Sequence, residues 1–119
     1  MAYKNAKFNA PSGLVLERQI EELIEEFRKK GRPLQYGTLG TRLKILPRHK
    51  SVARALGNLV REDVRNGRPI RSSIVVRGDT GIPGRGYFYI LRELGFDIPT
   101  NDKAKRDFAK DRMEEVFAA

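Results

Sequence analysis

The stretch YGTLGTRLKILPRHKSVARALGNLVREDV, residues 36–64, decides the fold because it predicts two helices separated by a single break. Tyr36, Leu39 and Leu43 lie at the spacing of a short helix, and Pro47 interrupts the helical pattern after them. The apolar residues that follow recur on one face of a longer helix: Val52, Leu56, Leu59, Val60 and Val64. Two helices joined by a short turn are the arrangement of a helix-turn-helix.

The second of these helices, expected over residues 48–64, carries a polar stripe beside the apolar one. The stripe consists of Ser51, Arg54, Asn58 and Arg61, at positions i, i+3, i+7 and i+10. The small residues on its intervening sides, which allow close approach, are Ala53, Ala55 and Gly57. Every surface helix has a polar face, but this one bears two arginines and no carboxylate until Glu62. We interpret it as a face selected for an anionic partner.

Before this stretch, the sequence predicts one amphipathic helix at about residues 13–31. Its apolar positions are Leu16, Ile20, Leu23, Ile24 and Phe27, and five glutamates face water. Gly31 and Pro33 are typical of the end of such a helix. Residues 1–11 have little periodicity and predict a flexible N-terminal arm, which leaves residues 12–119 as a single domain.

After the central helices, the segment SSIVVR at residues 72–77 predicts a strand, and GDTGIPGRG at 78–86 predicts a glycine-rich loop. We expect the next segment to be strand-like at Tyr87 and Phe88 and helical toward Leu94. A final amphipathic helix is expected at about 101–117, capped by Asn101 or Asp102. Its expected buried residues are Ala104, Phe108, Met113, Val116 and Phe117. The order of elements predicts an α+β, mostly helical winged helix-turn-helix with an N-terminal and a C-terminal amphipathic helix.

The charge of the chain is concentrated in its centre. The formal net charge is +9, but residues 28–92 alone hold sixteen Lys or Arg against Glu62, Asp63 and Asp79, which is +13. Such a charge distribution favours a polyanionic partner. The chain has no cysteine, so disulfides, a thiolate nucleophile and a thiolate zinc site are excluded.

These features predict a double-stranded DNA-binding protein in which the 48–64 helix docks in the major groove. The expected base contacts are Ser51, Arg54, Asn58 and Arg61, with Arg54 and Asn58 leading the readout. The expected phosphate contacts are Arg42, Lys44, Arg48, Lys50, Arg71, Arg77 and Arg85. The glycine-rich loop would then act as a basic wing on the phosphate backbone, although a tight turn alone would also need these glycines.

The segments YGTLGTRL, SVARALGNL, NGRPIRSSIVV and GIPGRGYF, within residues 36–88, resemble the DNA-binding domain of alkylguanine-DNA alkyltransferases and alkyltransferase-like proteins. Aligning Val75 and Val76 with the paired valines of that family puts residues 71–74 in place of its Pro-Cys-His-Arg motif. The acceptor thiol and its histidine are therefore missing, which excludes suicidal alkyl transfer. The resemblance implies base flipping by Tyr36 and an arginine finger; we carry over groove docking by residues 51–61, with base stacking on Tyr36 as a further candidate. The chain also resembles uncharacterised small phage and bacterial proteins.

Other functions are less well supported by the sequence. A nuclease would need Glu62, Asp63 and Asp79 to hold Mg²⁺, whereas helix-surface charges and a turn aspartate explain them more simply. His49, the single histidine, is expected to be a surface or cap residue. We therefore expect no enzymatic activity, no cofactor and no metal.

Two alternatives to DNA binding remain open. One is a small phage-type inhibitor or regulator that docks on an acidic host protein. The other is RNA binding, for which exposed aromatics are few. No membrane association is expected. We expect a monomer or weak homodimer in the cytoplasm, associated with the nucleoid in a bacterium or acting in the host cytoplasm if from a phage, with a role in transcription regulation.

Overall fold

The computed structural model describes residues 13–119, so the arm expected at residues 1–11 lies outside the described residues. The described part is mostly helical. Its helices are α1 (Gly13–Lys30), α2 (Tyr36–Leu43), α3 (Lys50–Arg65), α4 (Arg85–Glu93) and α5 (Asp102–Ala118). The other elements are β1 (Leu34–Gln35), a 3₁₀ turn (Arg71–Ile74) and β2 (Val75–Val76). None of the helices within residues 13–119 has the length and apolar character needed to cross a membrane.

Helix α1 confirms the helix predicted at the N-terminal side. Its five expected apolar residues are all buried, and they lie in the core with residues of α3, β1 and β2. The last turn of the helix contains the basic residues Arg28, Lys29 and Lys30. The next residue, Gly31, has a positive φ and ends the helix. Charged residues occupy the other face, so α1 is a scaffold that covers one side of α3.

The two helices predicted on either side of Pro47 are present as α2 and α3, and residues 44–49 connect them. Lys44 ends α2 in the left-handed conformation, at φ 57°, and its N–H donates to the carbonyl of Gly40. The loop packs directly on Gly40, where an added Cβ would lie 2.7 Å from both the carbonyl oxygen of Ile45 and the ring of Pro47. His49 caps α3, because its Nδ1 accepts a hydrogen bond of 3.1 Å from the N–H of Ser51. The expected role of His49 as a cap is therefore confirmed.

The predicted strand at residues 72–77 is much shorter in the structure. Only Val75 and Val76 are extended, and they pair in parallel with Leu34 and Gln35. The preceding residues of the segment form the 3₁₀ turn and are buried. This parallel pair brings the start of α2 next to the chain segment that follows α3, although the two are distant in sequence.

The strand-like conformation predicted at Tyr87 and Phe88 is wrong, because both residues lie in α4. Tyr87, Phe88 and Leu91 are buried together, which is the one-face pattern of a helix rather than the alternation of a strand. Residues 77–82 close a tight loop instead, through a 2.9 Å hydrogen bond from the N–H of Arg77 to the carbonyl of Ile82. Within residues 13–119 the only strand pairing is the parallel one, so the antiparallel ribbon of a typical wing is not formed there.

Helix α5 connects the two hydrophobic clusters of the domain. Met113 and Val116 belong to the cluster around α1 and α3, while Ala109 belongs to the cluster around α4. The helix starts where predicted, since the side chain of Asn101 accepts a 2.8 Å hydrogen bond from the N–H of Ala104. The remaining residues that were expected to be buried are half-buried: Ala104, Phe108 and Phe117.

Candidate nucleic-acid interface

A half-open cleft of about 700 Å³ lies where the two hydrophobic clusters meet. Its walls are the N-terminal part of α3, the segment leading from β2 to α4, and the first turns of α4. The residues of its interior include Tyr36, Val52, Leu56, Val60, Ser72, Tyr87 and Ile90. Four arginines also line it, namely Arg48, Arg54, Arg61 and Arg77. The cleft is therefore an apolar and aromatic cavity with a cationic rim.

Two tyrosine hydroxyls of the cleft are hydrogen-bonded within the protein. The phenol oxygen of Tyr36 accepts from the N–H of Gly84 at 3.4 Å, and burial raises the pKa of Tyr36. The phenol of Tyr87 bonds the hydroxyl of Ser73 at 2.6 Å, and burial raises the pKa of Tyr87 to about 12. Both phenols are therefore protonated at neutral pH. The O–H of Tyr36 can still donate to a ligand.

Ser72 is the one serine among the residues that line the cleft. Its hydroxyl donates to the carbonyl of Leu56 at 3.3 Å. The lining residues include neither a histidine nor a carboxylate, so no lining side chain could accept the Ser72 proton as a general base. The arrangement can bind a flat apolar group, but it lacks the pair of groups that activates a serine.

The arginines of the rim differ in how freely they can contact an anion. Arg48 and Arg54 are exposed and form no ion pair with any residue of the described range 13–119. Arg77 pairs with Asp79 at 2.8 Å, and this contact lowers the pKa of Asp79 below its usual value. Arg61 pairs with Glu93 of α4 at 3.2 Å. Of the four rim arginines, the two without an ion pair therefore lie just before α3 and in its first turns.

The predicted base-contact stripe is only partly available on this surface. Arg54, Asn58 and Arg61 are exposed as expected, whereas Ser51 is half-buried at the start of the helix. The Nδ2 of Asn58 donates to a carboxylate oxygen of Glu17, from α1, at 2.8 Å. Sequence reasoning counted no carboxylate on this stripe before Glu62, and the fold supplies two from neighbouring helices. The polar groups in the C-terminal half of the stripe are consequently occupied by partners within the protein.

The seven predicted phosphate contacts fall into three groups. Four form no ion pair within the described chain: Lys44, Arg48, Lys50 and Arg85. Arg42 and Arg77 are exposed but held by single carboxylates, Glu26 and Asp79. Hydrogen bonds from Arg42 and, to a smaller extent, Lys30 lower the pKa of Glu26 to about 2. Arg71 belongs to the third group, because its charge is used inside the protein.

Arg71 anchors the 3₁₀ turn to α3 and α1. Its guanidinium contacts Asp63, which is fully buried, at 2.9 Å, and reaches Glu21 at 2.8 Å. The backbone N–H of Arg71 donates to the same Asp63 carboxylate at 2.9 Å. Burial opposes the charge of Arg71, but these hydrogen bonds outweigh it and raise the pKa above the usual value. We therefore remove Arg71 from the expected phosphate contacts.

The same contacts account for the three carboxylates considered as a Mg²⁺ site. Asp63 is engaged by Arg71, Glu62 pairs with Arg68 at 2.8 Å, and Asp79 lies in the loop with Arg77. Among residues 13–119, no cluster of three carboxylate or histidine side chains is arranged to hold a metal ion.

Sequence reasoning missed the cleft itself. Its signal was present in the small residues of α3, since an added Cβ at Gly57 would lie 2.8 Å from the side chain of Ile90. This close approach brings α4 against α3, and Ala53 is a further small residue of α3 that lines the cleft. Comparison with protein-family models, curated proteins and solved structures found no match to this chain.

Proposed function

We propose that the protein binds double-stranded DNA without catalysis. In this proposal the N-terminal half of α3 lies in the major groove and one unstacked base lies in the cleft. The observation that carries this proposal is the cationic rim around an aromatic cavity. Phosphates are attracted to free arginine and lysine side chains, and a base offers the flat apolar surface that the cavity can enclose. A DNA strand supplies both the phosphates for the rim and the base for the cavity.

The contacts of α3 divide between the rim and the groove. Arg54 is exposed, unpaired and at the cleft, so it can reach a base edge or the strand beside an unstacked base. Lys50 and Arg48, at the start of the helix, are placed to neutralise phosphates on one side. Asn58 and Arg61 contribute only if DNA displaces Glu17 and Glu93.

The segment after β2 takes the place of a wing in this proposal. The closed loop at residues 77–82 and the first residue of α4, Arg85, would contact the backbone next to the occupied groove. We regard the fold as a winged-helix variant in which a loop and a short helix replace the usual hairpin. Inside the cleft, Tyr36 can stack on the base and donate its O–H to an acceptor on the base edge.

The test measures affinity by fluorescence anisotropy for two duplexes that differ by one central mismatch. An unpaired base costs less to unstack, so we expect tighter binding to the mismatched duplex. Arg54→Ala should lose about 1–3 kcal/mol of binding free energy. The control is Arg106→Ala, which removes the same charge from an exposed position on α5 outside the cleft.

Two results would refute the proposal. One is equal affinity for the matched and mismatched duplexes together with equal losses in the two arginine variants. The other is tighter binding to single-stranded DNA, to double-stranded RNA or to an acidic protein than to either duplex, which would favour the alternative partners.

A further inference from the structure

Leu46 is an exposed leucine on the loop between α2 and α3. Its exposed fraction is 69%, the largest among the exposed large hydrophobic residues of the described chain. A single exposed leucine on a surface needs no explanation. The rigidity of its loop and the charges around it are what make this one informative.

The loop holds Leu46 in a defined position. The carbonyl of Leu46 accepts a 2.9 Å hydrogen bond from the N–H of His49. The N–H of Ile45 donates a 3.0 Å hydrogen bond to the carbonyl of Gly40. Pro47 packs on Gly40, with no room for a side chain between them. Leu46 is therefore presented outward by a loop that is fixed on both sides, and ordering it would cost little entropy on binding.

The neighbours of Leu46 are cations and the cleft. Lys44, Arg48 and Lys50 are exposed and unpaired within residues 13–119, and they surround the leucine along the chain. The next two residues, Pro47 and Arg48, line the cleft. An apolar tip among unpaired cations fits DNA, since phosphates neutralise the cations while the apolar group enters the base stack.

We propose that Leu46 is a wedge that inserts between base pairs beside the base held in the cleft. This inference rests on the proposed function and adds to it the residue that opens the stack. The wedge supplies the apolar contact that replaces lost base stacking, as apolar side chains of other DNA-bending proteins do. Binding of DNA through the rim alone would not need it.

The experiment compares Leu46→Ala with Leu14→Ala, a matched control because Leu14 is 68% exposed on α1 away from the cleft. A third variant is Tyr36→Leu, which removes the stacking ring from the cleft. Each is titrated against a duplex with a central mismatch and a duplex with an abasic site at the same position. A 2-aminopurine placed next to that position reports unstacking.

We expect Leu46→Ala to bind both duplexes about tenfold more weakly, because it removes buried methyl groups whatever occupies the cleft. The 2-aminopurine signal should rise with wild type and with Leu14→Ala but not with Leu46→Ala. Tyr36→Leu should weaken binding to the mismatched duplex only, since the abasic duplex has no base to stack. Leu46→Met should restore binding, because methionine is also apolar and of similar size.

Several results would overturn the wedge and leave the proposed function standing. These are equal affinities for Leu46→Ala and Leu14→Ala, an unchanged 2-aminopurine signal in Leu46→Ala, or a failure of Leu46→Met to restore binding. Absence of salt-dependent binding of wild type to any duplex would instead refute the proposed function and the wedge together.

Discussion

If the protein binds DNA as proposed, the salt dependence of that binding can be calculated from the ion pairs of the structure. Each phosphate contact contributes about −0.9 to the slope of log K against log salt concentration. The four predicted phosphate contacts without an ion pair in the described chain are Lys44, Arg48, Lys50 and Arg85. They give a slope of about −3.6, so affinity should fall about 150-fold between roughly 50 and 200 mM salt.

The paired arginines set the upper limit of this effect. If DNA also displaces Glu26 from Arg42 and Asp79 from Arg77, six contacts give a slope of about −5.4 and a loss of about 1,800-fold over the same range. We expect the smaller value, because those arginines would have to exchange one anionic partner for another. Releasing a carboxylate reduces the gain from each new phosphate contact.

The assay is a fluorescence anisotropy titration of a labelled duplex at several salt concentrations. Arg48→Ala should reduce the magnitude of the slope by about 0.9, while Arg42→Ala should leave it unchanged. The two variants remove the same charge and differ in whether the arginine is paired. A wild-type slope between zero and about −1 would refute DNA binding through this surface, and equal slopes for the two variants would refute the sorting by ion pairs.

Three further predictions concern the internal ion pairs. Asp63→Asn should lower the free energy of unfolding by about 3 kcal/mol in urea denaturation, because it breaks the ion pair between the buried Asp63 and Arg71. A loss below about 0.5 kcal/mol would contradict this prediction. Glu93→Gln should strengthen DNA binding by up to about fivefold at low salt by releasing Arg61, and unchanged affinity would show that Arg61 does not contact DNA. The pKa of Glu26 is lowered to about 2, so its stabilising effect is present above about pH 4.5 and is lost as pH falls toward 2; Arg42→Ala should reduce this acid destabilisation in unfolding measurements at pH 6 and pH 3.

The elements with strong helical periodicity were the ones predicted correctly from sequence. The first helix, the two helices on either side of Pro47 and the last helix follow from repeated apolar spacing and from caps such as Asn101. The segment at Tyr87 and Phe88 was misjudged because two adjacent aromatics suit a strand as well as a buried helix face. The length of the apolar pattern distinguishes the two, since Leu91 continues the buried face of Tyr87 and Phe88 by one helical turn.

The site was harder to predict because its partners come from distant positions. Glu17 and Glu93 lie far in sequence from Asn58 and Arg61, and local charge counting cannot detect contacts of this kind. Arg71 was assigned to the surface for a similar reason, since its partners Asp63 and Glu21 come together around it only when α3 and α1 are packed together. The exposed cations at the start of α3 could be predicted from the sequence alone, because no distant residue forms an ion pair with them in the described chain.

The parallel pairing of Leu34 with Val75 has a consequence for how the cavity assembles. The phenol at the start of α2 and the walls contributed by α3 and α4 meet only after chain segments on both sides of this pairing have come together. A ligand that bound only the assembled cavity would therefore stabilise the entire domain, by about 2.7 kcal/mol at a hundred times its dissociation constant. A rise in melting temperature would identify nucleosides that fill the cavity without any DNA present.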